Sequence, residues 1–136
     1  MLSQAEQRAI WALPYPNLIN QKREIVMGYV THYEIEATGF KEEVESEFFL
    51  FKLNRAVNYT FAGTTTSTRV TIETDEIKWY EWQTDLKELS VHFPHVTIDV
   101  EGYGEESGDI WKARVRNGEA ETVEAMLTFP DFKKLV

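Results

Sequence analysis

A chain of 136 residues with 43% hydrophobic and 13% aromatic content suits one domain with a core that needs no staples. It contains no cysteine, which excludes disulfides and thiolate chemistry and leaves any zinc site to histidine and carboxylate. A net charge of −9 opposes direct binding to nucleic-acid phosphates, whereas an acidic surface can occupy a basic groove on another protein; acidity that serves only solubility is the plainer reading.

The first 26 residues read as a short helical extension. Ser3 to Glu6 fits a capping box, and Ala9, Ile10 and Leu13 follow at helical spacing until Pro14 and Pro16 end the run. Trp11, Leu13, Tyr15, Leu18 and Ile19 are too apolar for a solvated tail. The extension should therefore pack on its own domain, on a second copy in a homo-oligomer, or on a partner. It lacks a signal-peptide core, and no apolar run approaches the roughly 18 residues of a membrane span, so the expected compartment is the cytoplasm.

Residues 27–136 form the main expected domain. Tyr29, Thr31, Tyr33, Ile35 and Ala37 alternate with Val30, His32, Glu34 and Glu36, the period of a strand, expected to be central. Thr38-Gly39 then turns the chain into a helix starting near Phe40, with Val44, Phe48 and Phe51 on its buried face. Glu42, Glu43, Glu45 and Glu47 crowd its first turns, where carboxylates suit the positive end of the helix dipole. They are either a solvated face or a partner-binding acidic patch. Tyr59 and Phe61 suggest another strand, residues 63–67 a polar connection, and Val70 and Ile72 a return strand.

The clearest element is the next helix. Trp82, Leu86, Leu89 and Phe93 are spaced by four, three and four and share one face, until Pro94 stops it. Val96, Ile98 and Val100 then alternate with Thr97, Asp99 and Glu101. A second strand sets Trp111, Ala113 and Val115 against Lys112, Arg114 and Arg116, whose cations can lie beside Asp99 and Glu101. The helix is expected to dock on these two strands.

Asn117-Gly118 is a strong signal for a two-residue type I′ turn. Apolar parity argues instead for a three-residue loop, Arg116-Asn117-Gly118 with a bulge at Gly118, because this sets Val123, Ala125, Leu127 and Phe129 beside Trp111 and Val115. The elements together predict an α+β fold with two helices on one face of a mainly antiparallel sheet.

Catalytic motifs are scarce. His92 and His95 with Asp99 are weak metal candidates, because Pro94 breaks the helix that would align them. Glu101, Glu105, Glu106 and Asp109 surround glycines but lack EF-hand spacing. No serine sits in a Gly-x-Ser-x-Gly elbow, and no phosphate loop or dinucleotide fingerprint is present. No catalytic residue, cofactor or metal ligand is therefore assigned, and an enzyme is the minority expectation.

The run Lys78-Trp79-Tyr80, then Asp85-Leu86, Leu89-Ser90, Phe93-Pro94 and Gly104-Glu105-Glu106-Ser107-Gly108-Asp109-Ile110-Trp111, resembles a family of small proteins encoded by phages and prophages. These are similar in turn to the YubB-type ferredoxin-like domain. The resemblance covers roughly residues 27–129, and this chain begins some 26 residues before the family pattern. It implies a ferredoxin-like fold and a phage setting in a bacterial cytoplasm, and it carries over no catalytic residue.

The expectation is then a phage-encoded acidic interaction module that binds and inhibits a basic host protein. The target would be a nuclease or another anti-phage defence component, as for an anti-CRISPR protein. Its contacts would be Glu42, Glu43, Glu45 and Glu47, or Glu105, Glu106 and Asp109. The alternative is a ligand-binding or enzymatic domain with an aromatic and carboxylate pocket around Trp79, Tyr80, Trp82, Tyr103 and Trp111, aromatics that core packing would equally explain.

Overall fold

The computed structural model describes residues 28–135, so the expected N-terminal helix and its capping box lie outside the described residues. The described elements are β1 (Thr31–Thr38), α1 (Glu43–Val57), β2 (Gly63–Thr65), β3 (Arg69–Ile77), α2 (Trp82–Val91), β4 (Thr97–Gly104), β5 (Ile110–Arg116) and β6 (Glu119–Glu124). The strands form one antiparallel sheet in the order β2-β3-β1-β4-β5-β6. The chain is α+β, with β1 central as its alternation predicts.

Period-two patterning makes the sheet two-sided. Tyr33, Ile35 and Ala37 of β1, Val70 and Ile72 of β3, Ile98 and Val100 of β4 and Ala113 and Val115 of β5 are buried on one face. Both helices cover that face and join its residues in one core. The opposite face carries the polar alternates and is open to solvent. As expected, Leu86, Leu89 and Phe93 are buried beside Val96, while Trp82 is partly buried and stacks on Trp111 with ring centroids 4.4 Å apart. Gly102 makes room for that indole, since a Cβ there would lie 2.1 Å from Trp111.

The β1–β3 ladder contains a bulge. His32 pairs with Glu76 and Glu34 with Glu73, so Tyr33 faces both Thr74 and Asp75. The ladder cannot satisfy the Tyr33 amide there, and the Thr74 hydroxyl accepts its N–H at 2.9 Å. The extra residue also resets the parity of β3. Ile72 and Ile77, five positions apart, both reach the helix face, while Glu73 and Glu76 flank His32 on the open face.

Four expectations are corrected. The buried face of α1 is Ser46, Phe49 and Leu53, whereas Val44, Phe48 and Phe51 are exposed. Helix phase is set by polar ties as well as apolar area: the buried Ser46 hydroxyl lies 2.8 Å from the Glu43 carbonyl and 2.7 Å from the Thr66 carbonyl, either of which can accept its proton. Phe40 precedes the helix and is buried in the same core, its ring 5.3 Å from that of Phe49. The stretch 63–67, expected to be a polar connection, contributes edge strand β2, and residues 58–62 are not a strand.

The fourth correction is at Asn117-Gly118. Arg116 pairs with Glu119, and Asn117 and Gly118 have φ of 46° and 84°, a two-residue turn of type I′ character. Val123 consequently pairs with Lys112 on the open face, and Leu127 and Phe129 are exposed. Parity misleads because β6 is an edge strand, and Ala120 is its only residue packed on the core among those described. The turn is tied to α2 instead: Gly118 N–H donates to the Ser90 hydroxyl at 2.8 Å, and that hydroxyl donates to the Lys87 carbonyl at 2.8 Å.

These two faces of α1 predict opposite outcomes. Phe49→Ala should cost about 3 to 5 kcal/mol, the usual loss for a buried phenylalanine, and Phe51→Ala less than about 1 kcal/mol. Urea denaturation of both variants checks the phase, and equal losses would contradict it.

Candidate functional site

The outer face of α1 carries an exposed apolar strip. Val44, Phe48 and Phe51 follow at spacings of four and three and are 66%, 51% and 54% exposed. The two phenylalanine rings stack at 6.4 Å, and Lys52 and Arg55 lie over them at 5.6 and 5.8 Å. Glu42, Glu43 and Glu47 border the N-terminal end of this strip and are exposed. Glu45 differs from its neighbours. It accepts the Lys41 amide at 3.0 Å and lies 2.7 Å from His95 Nε2. The Lys41 amide and then His95 hold its carboxyl below the ordinary value.

The β4–β5 loop has a structural duty. Tyr29 donates its hydroxyl to Asp109 at 2.5 Å and accepts the Glu106 amide at 3.0 Å, while Glu105 accepts the Val30 amide at 3.1 Å. Burial and the Asp109 contact raise the Tyr29 phenol. Of the three proposed loop contacts, Glu105 and Asp109 are thus engaged in fastening residues 29–30.

The five aromatics do not converge on one pocket. Trp79 is buried in the core, with its indole N–H donating to Asp85 at 2.8 Å. Tyr80 accepts the Tyr29 amide at 2.7 Å, and Trp82 and Trp111 stack together over Gly102. Tyr103 projects from the opposite side of the sheet, between Gly102 and Gly104 and paired with His32 of the open face. It donates to Glu101 at 2.6 Å, and that bond, followed by burial and the charges of Glu101 and Glu34, pushes its phenol up to about 12.

The open face holds a group that the sequence pattern did not single out. Glu34 of β1 is the direct partner of Glu73 on β3 and of Glu101 on β4, a row of three carboxylates across three strands. His32 Nε2 lies 3.1 Å from Glu34 and 3.5 Å from Glu73. Lys112 lies 3.6 Å from Glu101. Beside this row, Arg114 pairs with Asp99 at 2.7 Å, and Arg69 pairs with Glu36. Glu34, Glu36, Thr71, Glu73, Asp99 and Glu101 border an open depression. His32 and Glu34 at i, i+2 on an alternating strand already share a face in the sequence. Glu73 joins them through the β1–β3 register, and no local pattern encodes that.

His92, His95 and Asp99, the weak metal candidates of the sequence, do not come together among the described residues. His95 faces Glu45, and Asp99 is held by Arg114 on the open face. Compared with known proteins, the chain matches no family model, no curated protein and no solved structure.

Glu45 generates a test of the contacts behind α1. Its folded pKa is depressed, so its contribution is complete above the unfolded value near 4.5 and is lost as pH falls through the lower folded value. The urea midpoint of the parent should drop more steeply below that value than that of Glu45→Gln. Parallel curves would show that the Lys41 and His95 contacts give no net stabilisation.

Proposed function

We propose that this chain is an acidic protein-interaction module that engages its partner through the outer face of α1. The observation that carries the reading is the exposed strip of Val44, Phe48 and Phe51 bordered by Glu42, Glu43 and Glu47. An apolar centre with a charged border is the anatomy of a protein contact, in which aromatic anchors supply affinity and border charges supply steering. The carboxylates favour a partner with a basic surface and oppose nucleic-acid phosphates. The β4–β5 loop is the weaker candidate for this contact, since two of its three carboxylates serve its own anchorage.

The scaffold reads as a ferredoxin-like core, β1-α1-β2-β3-α2-β4, extended at one edge by the β5–β6 hairpin. The strand order β2-β3-β1-β4 supports that reading. With the resemblance to small phage and prophage proteins, it favours a phage-encoded inhibitor acting in the host cytoplasm on a basic host protein, such as a nuclease or another defence component. No helix among the described residues is long and apolar enough to cross a membrane.

The test is capture from a bacterial lysate, followed by association kinetics with the captured protein. Phe48→Asp combined with Phe51→Asp should abolish retention without lowering the melting temperature appreciably, because both rings are half exposed. Reversal of Glu42, Glu43 and Glu47 to Lys should slow association and flatten its salt dependence, as expected for charges screened over about 8 Å at physiological ionic strength. Retention of the same partner by both variants, with unchanged kinetics at low and high salt, would remove α1 as the contact.

A further inference from the structure

Independently of the α1 surface, we propose that His32, Glu34 and Glu73 form a binding site for a single divalent transition-metal ion on the open face of the sheet. The three donors come from two neighbouring strands, and their ligand atoms all lie within 4.8 Å of one another. His32 Nε2 is 3.1 Å from Glu34 Oε2 and 3.5 Å from Glu73 Oε2. A tetrahedral ion with bonds of about 2.0 to 2.2 Å sets its donors roughly 3.3 to 3.6 Å apart. The two histidine–carboxylate separations are therefore already near the spacing around a bound ion, and the two carboxylates lie within 4.8 Å of each other.

The donor chemistry selects the ion class. One imidazole with two carboxylates suits zinc and its divalent neighbours, whereas calcium and magnesium favour all-oxygen shells. Three protein donors on an exposed face leave at least one position to water or to a donor from another molecule. Glu34 and Glu73 are partly and mostly exposed, so an ion reaches them without opening the fold.

The carboxylate row supplies an independent reason. Directly opposed like charges destabilise a sheet, yet Glu34 stands between Glu73 and Glu101, and Glu76 is the cross-strand partner of His32. Lys112 offsets Glu101 from the far side, whereas among the described residues the ion-pair partner of both Glu34 and Glu73 is His32. A divalent ion at the Nε2 position would neutralise both carboxylates and use an imidazole that is already aimed between them. The bulge adds to the charge on this face, because the extra residue brings Glu76 opposite His32 while Glu73 stays opposite Glu34.

The experiment is a titration of the chelator-treated full chain with zinc, followed by calorimetry and by NMR of the imidazole side chains. Only three histidines are present in the sequence, so the signals are separable. One zinc per chain should bind with the His32 ring perturbed, while the His92 and His95 rings stay unmoved. His32→Gln, Glu34→Gln and Glu73→Gln should each weaken binding by more than about tenfold. The two glutamine variants should also melt no lower than the parent without metal, because each removes a like-charge contact. This split separates ligand loss from unfolding. Saturation absent throughout the titration, perturbation of His92 or His95 in place of His32, or unchanged affinity in the three variants would overturn the site.

Discussion

The arrangement of this molecule depends on one extra residue in β3. A strand sends alternate side chains to opposite faces, so a sheet covered on one side tolerates no slip in parity. β3 must deliver Val70, Ile72 and Thr74 to the core at one end and Ile77 at the other, which strict alternation forbids. The bulge opposite Tyr33 resolves the conflict, and the Thr74 hydroxyl satisfies the amide left over in the central strand. Without that hydroxyl, a buried N–H in the middle of the sheet would be orphaned, at about 1 to 3 kcal/mol. The same step moves Glu73 and Glu76 together to the solvent side, so core packing and the polarity of the open face have one local cause.

Polar ties then decide what apolar area leaves undecided. α1 contains Val44, Phe48, Phe49, Leu50, Phe51 and Leu53, enough to bury either of two faces. The buried Ser46 binds the carbonyl at the β2–β3 turn, and Glu45 meets His95 from the turn between α2 and β4, so the helix is held at two polar points. With Ser46 inward, Phe49 and Leu53 follow at three and seven positions on, and Phe48 and Phe51 turn outward. A hydroxyl donating to a buried carbonyl contributes only about 1 kcal/mol, but the alternative phase would bury polar groups without partners.

Legibility in the sequence follows from this division. The second helix was readable because its apolar residues at four, three and four stand among charged ones, leaving one possible face. β1, β4 and β5 were readable because their alternation is strict, and the ion pairs of Lys112 and Arg114 with Glu101 and Asp99 followed from it. The phase of α1 was not readable, because a helix with two apolar faces gives periodicity nothing to choose between. Parity failed again at Asn117-Gly118, where local turn chemistry was the better guide and the edge strand β6 had little core to face. The cluster of His32, Glu34 and Glu73 lay beyond local pattern altogether, since it exists only once the cross-strand register of β1 and β3 is known.

The two candidate surfaces lie on opposite sides of the sheet, and the packing between them limits how they could communicate. β1 is paired along both edges, and its inward side chains, Tyr33, Ile35 and Ala37, are almost wholly buried. Tyr33, between His32 and Glu34, is fixed by its hydroxyl on the Trp79 carbonyl at 3.0 Å and by ring contacts with Trp79 and Trp111. Those contacts run toward α2 and β5. The outer strip of α1 is instead supported by Phe93 and by the Glu45–His95 pair. Coupling requires an element with two arrangements whose equilibrium both sites bias. A doubly paired central strand with a close-packed inner face offers one arrangement, so ion binding on the open face and protein binding on α1 should contribute additively.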